Sequence, residues 1–377
     1  MNTFVPLYIN GRFAAQKLSG VQRFAIEMTE ALVRAYGDRV HVLLPPDATL
    51  EIAGGYVVGR RTGQVWEQLE LPRYVGKGIL INLGNTGPIL ARRQVVVIHD
   101  AGVFSTPEVY SRKFRLWYKA LQYLLVKRAA RIVTVSEFSR RELVAHLPVR
   151  VTDVAVIPEG ADHMLRLTAD AAVLREYNLR RGQFVLAVGT LAAHKNLSSL
   201  GQLADRLAER GMVLAISGAI GAAAFRSSGV AQLPASALYL GRVSDEALKA
   251  LYGNAACYVL PSHYEGFGLP AMEAMACGCA VVVADIPALR ETCGDAAVYF
   301  DPSSPQDIAE TVLALIGTPD RLSGLRARAL EHGRSLTWSK AALALFNIID
   351  SGADNNTANE SRWRGRYESL DYRGSGN

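Results

Sequence analysis

Twelve short runs rich in β-branched residues, alternating with stretches of helical apolar spacing, constrain the fold of this 377-residue chain more than any other feature. In the first half the strand candidates are Phe4–Ile9, Val40–Leu44, Ile79–Leu83, Val95–Ile98, Arg131–Val135 and Val154–Ile157. Helical patterns at Val21–Arg34, Gln64–Val75, Arg112–Ala130 and Phe138–His146 fall between them. The second half repeats the scheme, with strands at Phe184–Val188, Met212–Ser217, Leu238–Leu240, Cys257–Leu260, Ala280–Ala284 and Ala297–Phe300. Its helices are expected at Leu197–Arg210, Asp245–Gly253, Pro270–Ala276, Gln306–Leu315 and Pro319–His332. Such alternation argues α/β architecture, with parallel sheets flanked by helices.

The pattern lapses between Pro158-Glu159-Gly160 and Gly182, so two doubly wound domains are expected, residues 1–165 and 166–335. A helix over 336–350 is expected to return to the first domain, and 351–377 reads as a disordered tail rich in Asn, Ser, Gly and Arg. Two such domains facing each other leave a cleft lined by strand C-terminal ends, where ligands bind.

Half the residues are apolar and a fifth are charged, the balance of a soluble globular protein. Met1 to Asn10 lacks the basic start and long apolar run of a secretory leader. The uncharged stretch Gly211–Phe225 is short of the roughly 20 residues a membrane span needs. Cysteines 257, 277, 279 and 293 have neither zinc-site nor redox-pair spacing, and read as buried thiols in a reducing cytoplasm. Residues 1–150 carry 21 Lys and Arg against 11 Asp and Glu, whereas the remainder carries 20 against 24. The basic half suits an anionic membrane or a lipid-phosphate substrate. Nucleic acid is not expected, because no helix-turn-helix signal, zinc module or basic-aromatic sheet motif accompanies the charge.

The chemistry concentrates in Ser262-His263-Tyr264-Glu265-Gly266-Phe267-Gly268-Leu269-Pro270-Ala271-Met272-Glu273-Ala274. This is strand, glycine loop, helix, with Glu265 in the loop and Glu273 one turn into the helix. The free backbone N–H groups at the helix start attract a diphosphate, and Gly266 and Gly268 permit close approach. A Glu in the first helical turn is also favourable without a ligand.

A second candidate is Val188-Gly189-Thr190-Leu191-Ala192-Ala193-His194-Lys195-Asn196-Leu197, after the first strand of the second half. Lys195 can neutralise a phosphate there, or simply face solvent at a helix start. His99-Asp100 ends another strand at the cleft: His99 can meet a sugar or cap the strand, and Asp100 can orient it or bind an acceptor. Arg12 and Gly20, in the first strand–loop–helix, are further acceptor or anion candidates. Helix Arg112–Ala130 mixes basic and aromatic residues and fits either a membrane surface or the flank of the sheet. No dinucleotide fingerprint follows the first strand, and no Asp-x-Asp, nucleophile elbow or phosphate-binding Walker loop occurs.

Together these residues resemble retaining glycosyltransferases of family 4, which have the GT-B fold of two facing Rossmann-like domains. The resemblance rests on the Glu265-x7-Glu273 motif in its Glu-Gly-Phe-Gly-Leu-Pro setting and on Val188-Gly189-Thr190 through Lys195-Asn196-Leu197. Val156-Ile157-Pro158-Glu159-Gly160, Val133-Thr134-Val135-Ser136-Glu137 and the Tyr239–Val243 loop add to it. It covers most of residues 4–350. The resemblance implies that Glu273 holds donor ribose hydroxyls, that Glu265 contacts the transferred sugar, and that Lys195 balances the diphosphate, assisted by the N–H groups of Phe267, Gly268 and Leu269. His99 would meet the sugar, Gly189, Thr190, Arg242 and Val243 would line the donor, and Gly20, Asp100 and Arg12 the acceptor. Many relatives carry Arg where Thr190 stands.

The implied activity is metal-independent transfer of a hexose from a nucleotide diphosphate sugar, GDP-mannose favoured, with configuration retained and no cofactor. The acceptor would be a lipid-linked or oligosaccharide unit of a surface polysaccharide or lipopolysaccharide, at the inner face of the cytoplasmic membrane. A sugar-nucleotide 2-epimerase and a non-catalytic nucleotide-sugar binder are the alternatives.

Overall fold

A computed structural model describes residues 5–129, 131–218 and 233–353. The first lobe holds strands β1 (Leu7–Asn10), β2 (Val40–Leu44), β3 (Gly55–Val57), β4 (Ile79–Asn82), β5 (Gln94–Val97), β6 (Arg131–Thr134) and β7 (Val154–Val156). Its long helices are α1 (Gly20–Tyr36), α2 (Arg112–Arg128) and α3 (Glu137–His146). The second lobe holds β8 (Phe184–Val188), β9 (Val213–Ser217), β10 (Leu238–Gly241), β11 (Cys257–Leu260), β12 (Val281–Ala284) and β13 (Ala297–Phe300). Around them lie α4 (Gly201–Ala208), α5 (Asp245–Asn254), α6 (Leu269–Ala276), α7 (Pro287–Cys293), α8 (Pro305–Ile316), α9 (Pro319–Ser335) and α10 (Trp338–Ala353).

Both sheets are wholly parallel, in the orders β3-β2-β1-β4-β5-β6-β7 and β10-β9-β8-β11-β12-β13. This is the two-Rossmann GT-B architecture. Strand β12 shows why: Val281, Val282, Val283 and Ala284 are all buried, as helices on both faces require. Each sheet reverses its winding at one place, between β1 and β4 and between β8 and β11. A crevice opens there beyond the strand C-termini. The loops following β8 and β11 contain Lys195 and Glu265, so both motifs arrive at one switch point.

All twelve expected strands are present. The unexpected one, β3, is a three-residue edge strand with Tyr56 and Val57 exposed, too short and wet to leave an apolar signature. The helix expected over Gln64–Val75 is broken into Gly63–Val65, a wide turn over Trp66–Glu70, and Pro72–Val75. Pro72 has no N–H to continue an α-helical ladder, and Leu71 N bonds back to Trp66 O at 3.0 Å. The helix expected from Leu197 opens as a 3-10 turn through Leu200.

Two chain crossings join the lobes. After β7 the chain passes through Pro158–Asp162 into a helical turn at His163–Arg166. Helix α10 returns to the first lobe, stacking Phe346 on Tyr36 of α1 with ring centroids 3.9 Å apart, and burying Trp338 edge-on to Phe24. It reaches Ala353, three residues into the stretch expected to be a tail; 354–377, and residues 219–225 of the Gly211–Phe225 stretch, lie outside the described residues.

Candidate active site

At the second-lobe switch point, Lys195 Nζ reaches both carboxylate oxygens of Glu265, at 2.8 and 2.9 Å. Ser262 Oγ adds a third hydrogen bond at 2.7 Å. Burial by itself raises the Glu265 pKa, but the Lys195 charge and hydrogen bond, with the Ser262 hydroxyl, outweigh it. The result sits below the usual carboxylate range, so Glu265 is ionised at neutral pH. Neighbouring His194 is pushed down to about 4 by burial and by Lys195, so its imidazole is neutral there. Asn196, in the left-handed region at φ 54°, donates to Pro261 O and Pro302 O. The loop bearing Lys195 is thereby pinned to the one bearing Glu265.

Gly268 caps α6 at φ 89°, a conformation suited to glycine, and a Cβ there would lie 2.5 Å from Leu289 Cδ2. Among the described residues the Phe267, Gly268 and Leu269 N–H groups make no hydrogen bond and remain available at the helix start. Glu273 is buried on α6. Its Oε1 lies 3.0 Å from His163 Nε2 and its Oε2 3.4 Å from Tyr252 OH. Gly189 follows β8, bonding Ser217 O, and Thr190 comes next, partly exposed. Arg242 and Val243 follow edge strand β10; Arg242 is exposed and joins none of these hydrogen bonds.

The first lobe presses on this loop. Ser136 Oγ and Ser139 Oγ both donate to Gly266 O, at 2.6 and 3.2 Å. Ser136 also caps α3 through the Ser139 N–H, a contact of roughly 1 kcal/mol in helix stability. Glu291, from α7 of the second lobe, accepts from the N–H groups of Glu137 and Phe138 at the same helix end. Asp100, partly exposed at the end of β5, accepts from Gly102 N at 2.7 Å; burial raises its pKa against the Gly102 hydrogen bond and the His99 and Lys195 charges.

Two first-lobe candidates already have protein partners. His99 sits at the cleft wall, but Nε2 lies 2.9 Å from Leu83 O and Nδ1 3.5 Å from Glu159 Oε1, so both ring nitrogens face protein groups. Arg12 donates its Nε to Glu67 at 3.0 Å and its Nη2 to Thr86 at 2.8 Å. The Glu67 carboxylate is buried and also accepts from Asn10 at 2.8 Å. At Gly20 an added Cβ would meet nothing within 4 Å, so packing does not require glycine there.

Sequence reasoning passed over His163, Trp338, Tyr252, Ser262 and Glu291 as site residues. Except for Ser262, which lies three residues before Glu265, their partners are remote along the chain, and only the Pro158-Glu159-Gly160 turn marks the neighbourhood. Cys257, Cys279 and Cys293 are buried thiols, as expected, and Cys277 is partly exposed.

The chain matches the family model "Glycosyltransferase Family 4" over residues 18–164 and "Glycosyl transferases group 1" over residues 175–334. It is 30% identical over 297 residues to O-antigen chain mannosyltransferase B of Escherichia coli, covering 75% of this chain and 76% of that protein. It is 27% identical over 255 residues to O-antigen chain mannosyltransferase RfbU of Salmonella typhimurium, covering 67% and 69%. Sucrose-phosphate synthase from Thermosynechococcus elongatus superposes with a TM-score of 0.72 at 18% identity, covering 93% of this chain and all of that one.

Proposed function

The chain belongs to the glycosyltransferases, its lobes matching family 4 and group 1, and from that premise we propose that it transfers mannose from GDP-mannose, with retention of configuration, to a lipid-linked or saccharide acceptor in surface polysaccharide synthesis. One observation carries the reading of the site: the Lys195–Glu265 ion pair in the loops before α6, with Glu273 buried one turn into that helix. In this reading the donor diphosphate lies at the α6 N-terminus against Lys195, and Glu273 takes the ribose hydroxyls. The names of the two O-antigen relatives support mannose and a polysaccharide setting.

The ionised state of Glu265 limits its role. A carboxylate cannot protonate a leaving group, but it stabilises positive charge developing on the transferred sugar. In the proposed reaction the acceptor attacks from the face that the diphosphate leaves. The bond from C1 to the diphosphate oxygen breaks as the bond to the acceptor oxygen forms, and the acceptor proton passes to the departing phosphate. Lys195 and the α6 N–H groups take up the negative charge left on the diphosphate. No metal is given a part, and loss of all activity on chelation would remove that claim.

The acceptor face is assigned to the first lobe. Helix α2 buries Leu121 and Leu125, yet Leu116, Trp117, Tyr123 and Leu124 are exposed beside Arg112, Lys113, Lys127 and Arg128. A basic surface with exposed apolar side chains suits an anionic bilayer carrying a lipid-linked acceptor. Among the described residues no helix is long and apolar enough to cross a membrane.

A thermal-shift panel of GDP, UDP, dTDP and their sugars tests the donor assignment. GDP and GDP-mannose should raise the midpoint most; a larger rise with UDP or dTDP compounds would replace the donor.

A further inference from the structure

We infer that His163 and Trp338 are positioning residues for donor binding: together they fix the proton and the carboxylate orientation at Glu273, and tie that carboxylate to both inter-lobe crossings. The inference rests on the reading of Glu273 as the ribose-binding group.

Trp338 Nε1 lies 3.1 Å from His163 Nδ1, and an indole N–H can only donate. Nδ1 must therefore carry a lone pair, which places the ring proton on Nε2. That nitrogen faces Glu273 Oε1 at 3.0 Å, so it donates to the carboxylate. The reverse tautomer would set two N–H groups against each other at Trp338 and a lone pair against a carboxylate at Glu273. His163 and Trp338 are 3% and 1% exposed, so water has little access to replace either bond. Glu273 keeps lone pairs beyond those used by His163 and Tyr252, enough for two ribose hydroxyls.

The placement of the two residues gives the bond its wider consequence. His163 opens the helical turn that follows the linker, and Trp338 is the first residue of α10, which packs on α1. Trp338 N donates to Asp162 Oδ1 at 2.7 Å, and Ala161 N to Leu336 O at 3.1 Å. A Cβ at Gly160 would fall 2.3 Å from Trp338 N, so the crossings touch backbone to backbone. Any shift of one against the other moves the Nε2–H away from Glu273. Donor affinity is thus coupled to how the lobes are joined.

The variants His163→Gln and His163→Asn separate this role from simple packing. Gln places an amide N–H near the position of Nε2; Asn places its amide near Nδ1 and can satisfy Trp338 but not reach Glu273. Both are polar and of moderate size. Titration of GDP and of guanosine, with steady-state kinetics on GDP-mannose, should show His163→Gln within about threefold of wild type. His163→Asn should weaken both ligands about tenfold, the effect of losing one hydrogen bond to a charged group, and raise KM with little change in kcat. Inorganic pyrophosphate should inhibit all forms alike. In 15N NMR, His163 of the wild type should show the Nε2–H tautomer, and Trp338→Phe should lose that signature. Equal affinities for the Gln and Asn variants, or a wild-type Nδ1–H tautomer, would overturn the inference. Glu273→Ala is the control: unchanged guanosine affinity there would remove the ribose reading itself, and the inference with it. A normal loss in Glu273→Ala beside an unaffected His163→Asn would sink the inference alone.

Discussion

Lys195 and Glu265 stand 70 residues apart in sequence, yet one ammonium contacts both oxygens of the other's carboxylate. The pair joins the loops following β8 and β11, the two strands between which the second sheet reverses its winding. A lysine that already neutralises a buried carboxylate is fixed in place before any diphosphate arrives.

Removing one partner is more costly than removing both. Lys195→Ala leaves Glu265 buried without its cation, at a cost of about 3–5 kcal/mol, visible as a lower urea midpoint. Lys195→Ala with Glu265→Gln should recover most of that stability. It should not recover affinity for the diphosphate sugar, and bare nucleoside binding should change little in either variant. Equal loss for nucleoside and diphosphate sugar would contradict the role of Lys195.

Two buried carboxyls should bend the stability profile in opposite directions. The folded pKa of Glu265 is lowered, so its contribution is complete above the unfolded value and is lost as pH falls through the folded one. Glu265→Gln should flatten that acid limb. Burial raises the Glu159 pKa, more than the His99 hydrogen bond and charge lower it. Its contribution is complete below the unfolded value and is lost as pH rises through the folded one. Glu159→Gln should therefore gain on wild type between acid and neutral pH, in chemical unfolding measured across that range. Parallel profiles for wild type and variant would refute either assignment.

At Gly266 the two lobes are in close contact. An added Cβ would lie 2.9 Å from His99 O and 3.1 Å from Asp100 Cβ. Backbone on the far side cannot yield, so Gly266→Ala should displace the loop and loosen its bonds to Ser136 and Ser139. A misplacement of that order costs about 100-fold in turnover, while nucleotide binding to the second lobe should change less than fivefold, roughly. An unchanged kcat would show that this contact does not set the reacting geometry.

The exposed apolar side chains of α2 predict attachment to anionic vesicles. Trp117→Ser with Leu116→Ser should reduce co-flotation with vesicles containing anionic lipid, and salt should weaken the wild type. Binding indifferent to both the substitutions and the lipid charge would assign this face elsewhere.

The sequence exposes much of this because its signals are local. Parallel strands such as Val281–Ala284 are apolar on both faces, and the Glu265–Glu273 spacing is carried by one strand-to-helix segment. What stays hidden depends on contacts between remote parts of the chain. His163 reaches Glu273 across 110 residues, and Trp338 reaches His163 across 175. Arg12 reads as a free cation until Glu67 is brought against it by the fold. Helix α7 has seven residues, too few to establish an apolar period, yet its Glu291 caps a helix of the other lobe.

Calorimetric titration of GDP-mannose into wild type, Glu273→Ala and Glu265→Ala tests the central claim most directly. A nucleotide sugar held between these carboxylates and Lys195 requires both variants to lose at least about tenfold in affinity, with guanosine sensitive to Glu273 and insensitive to Glu265. Undiminished binding in both variants, with transfer to acceptor intact, would place the donor elsewhere.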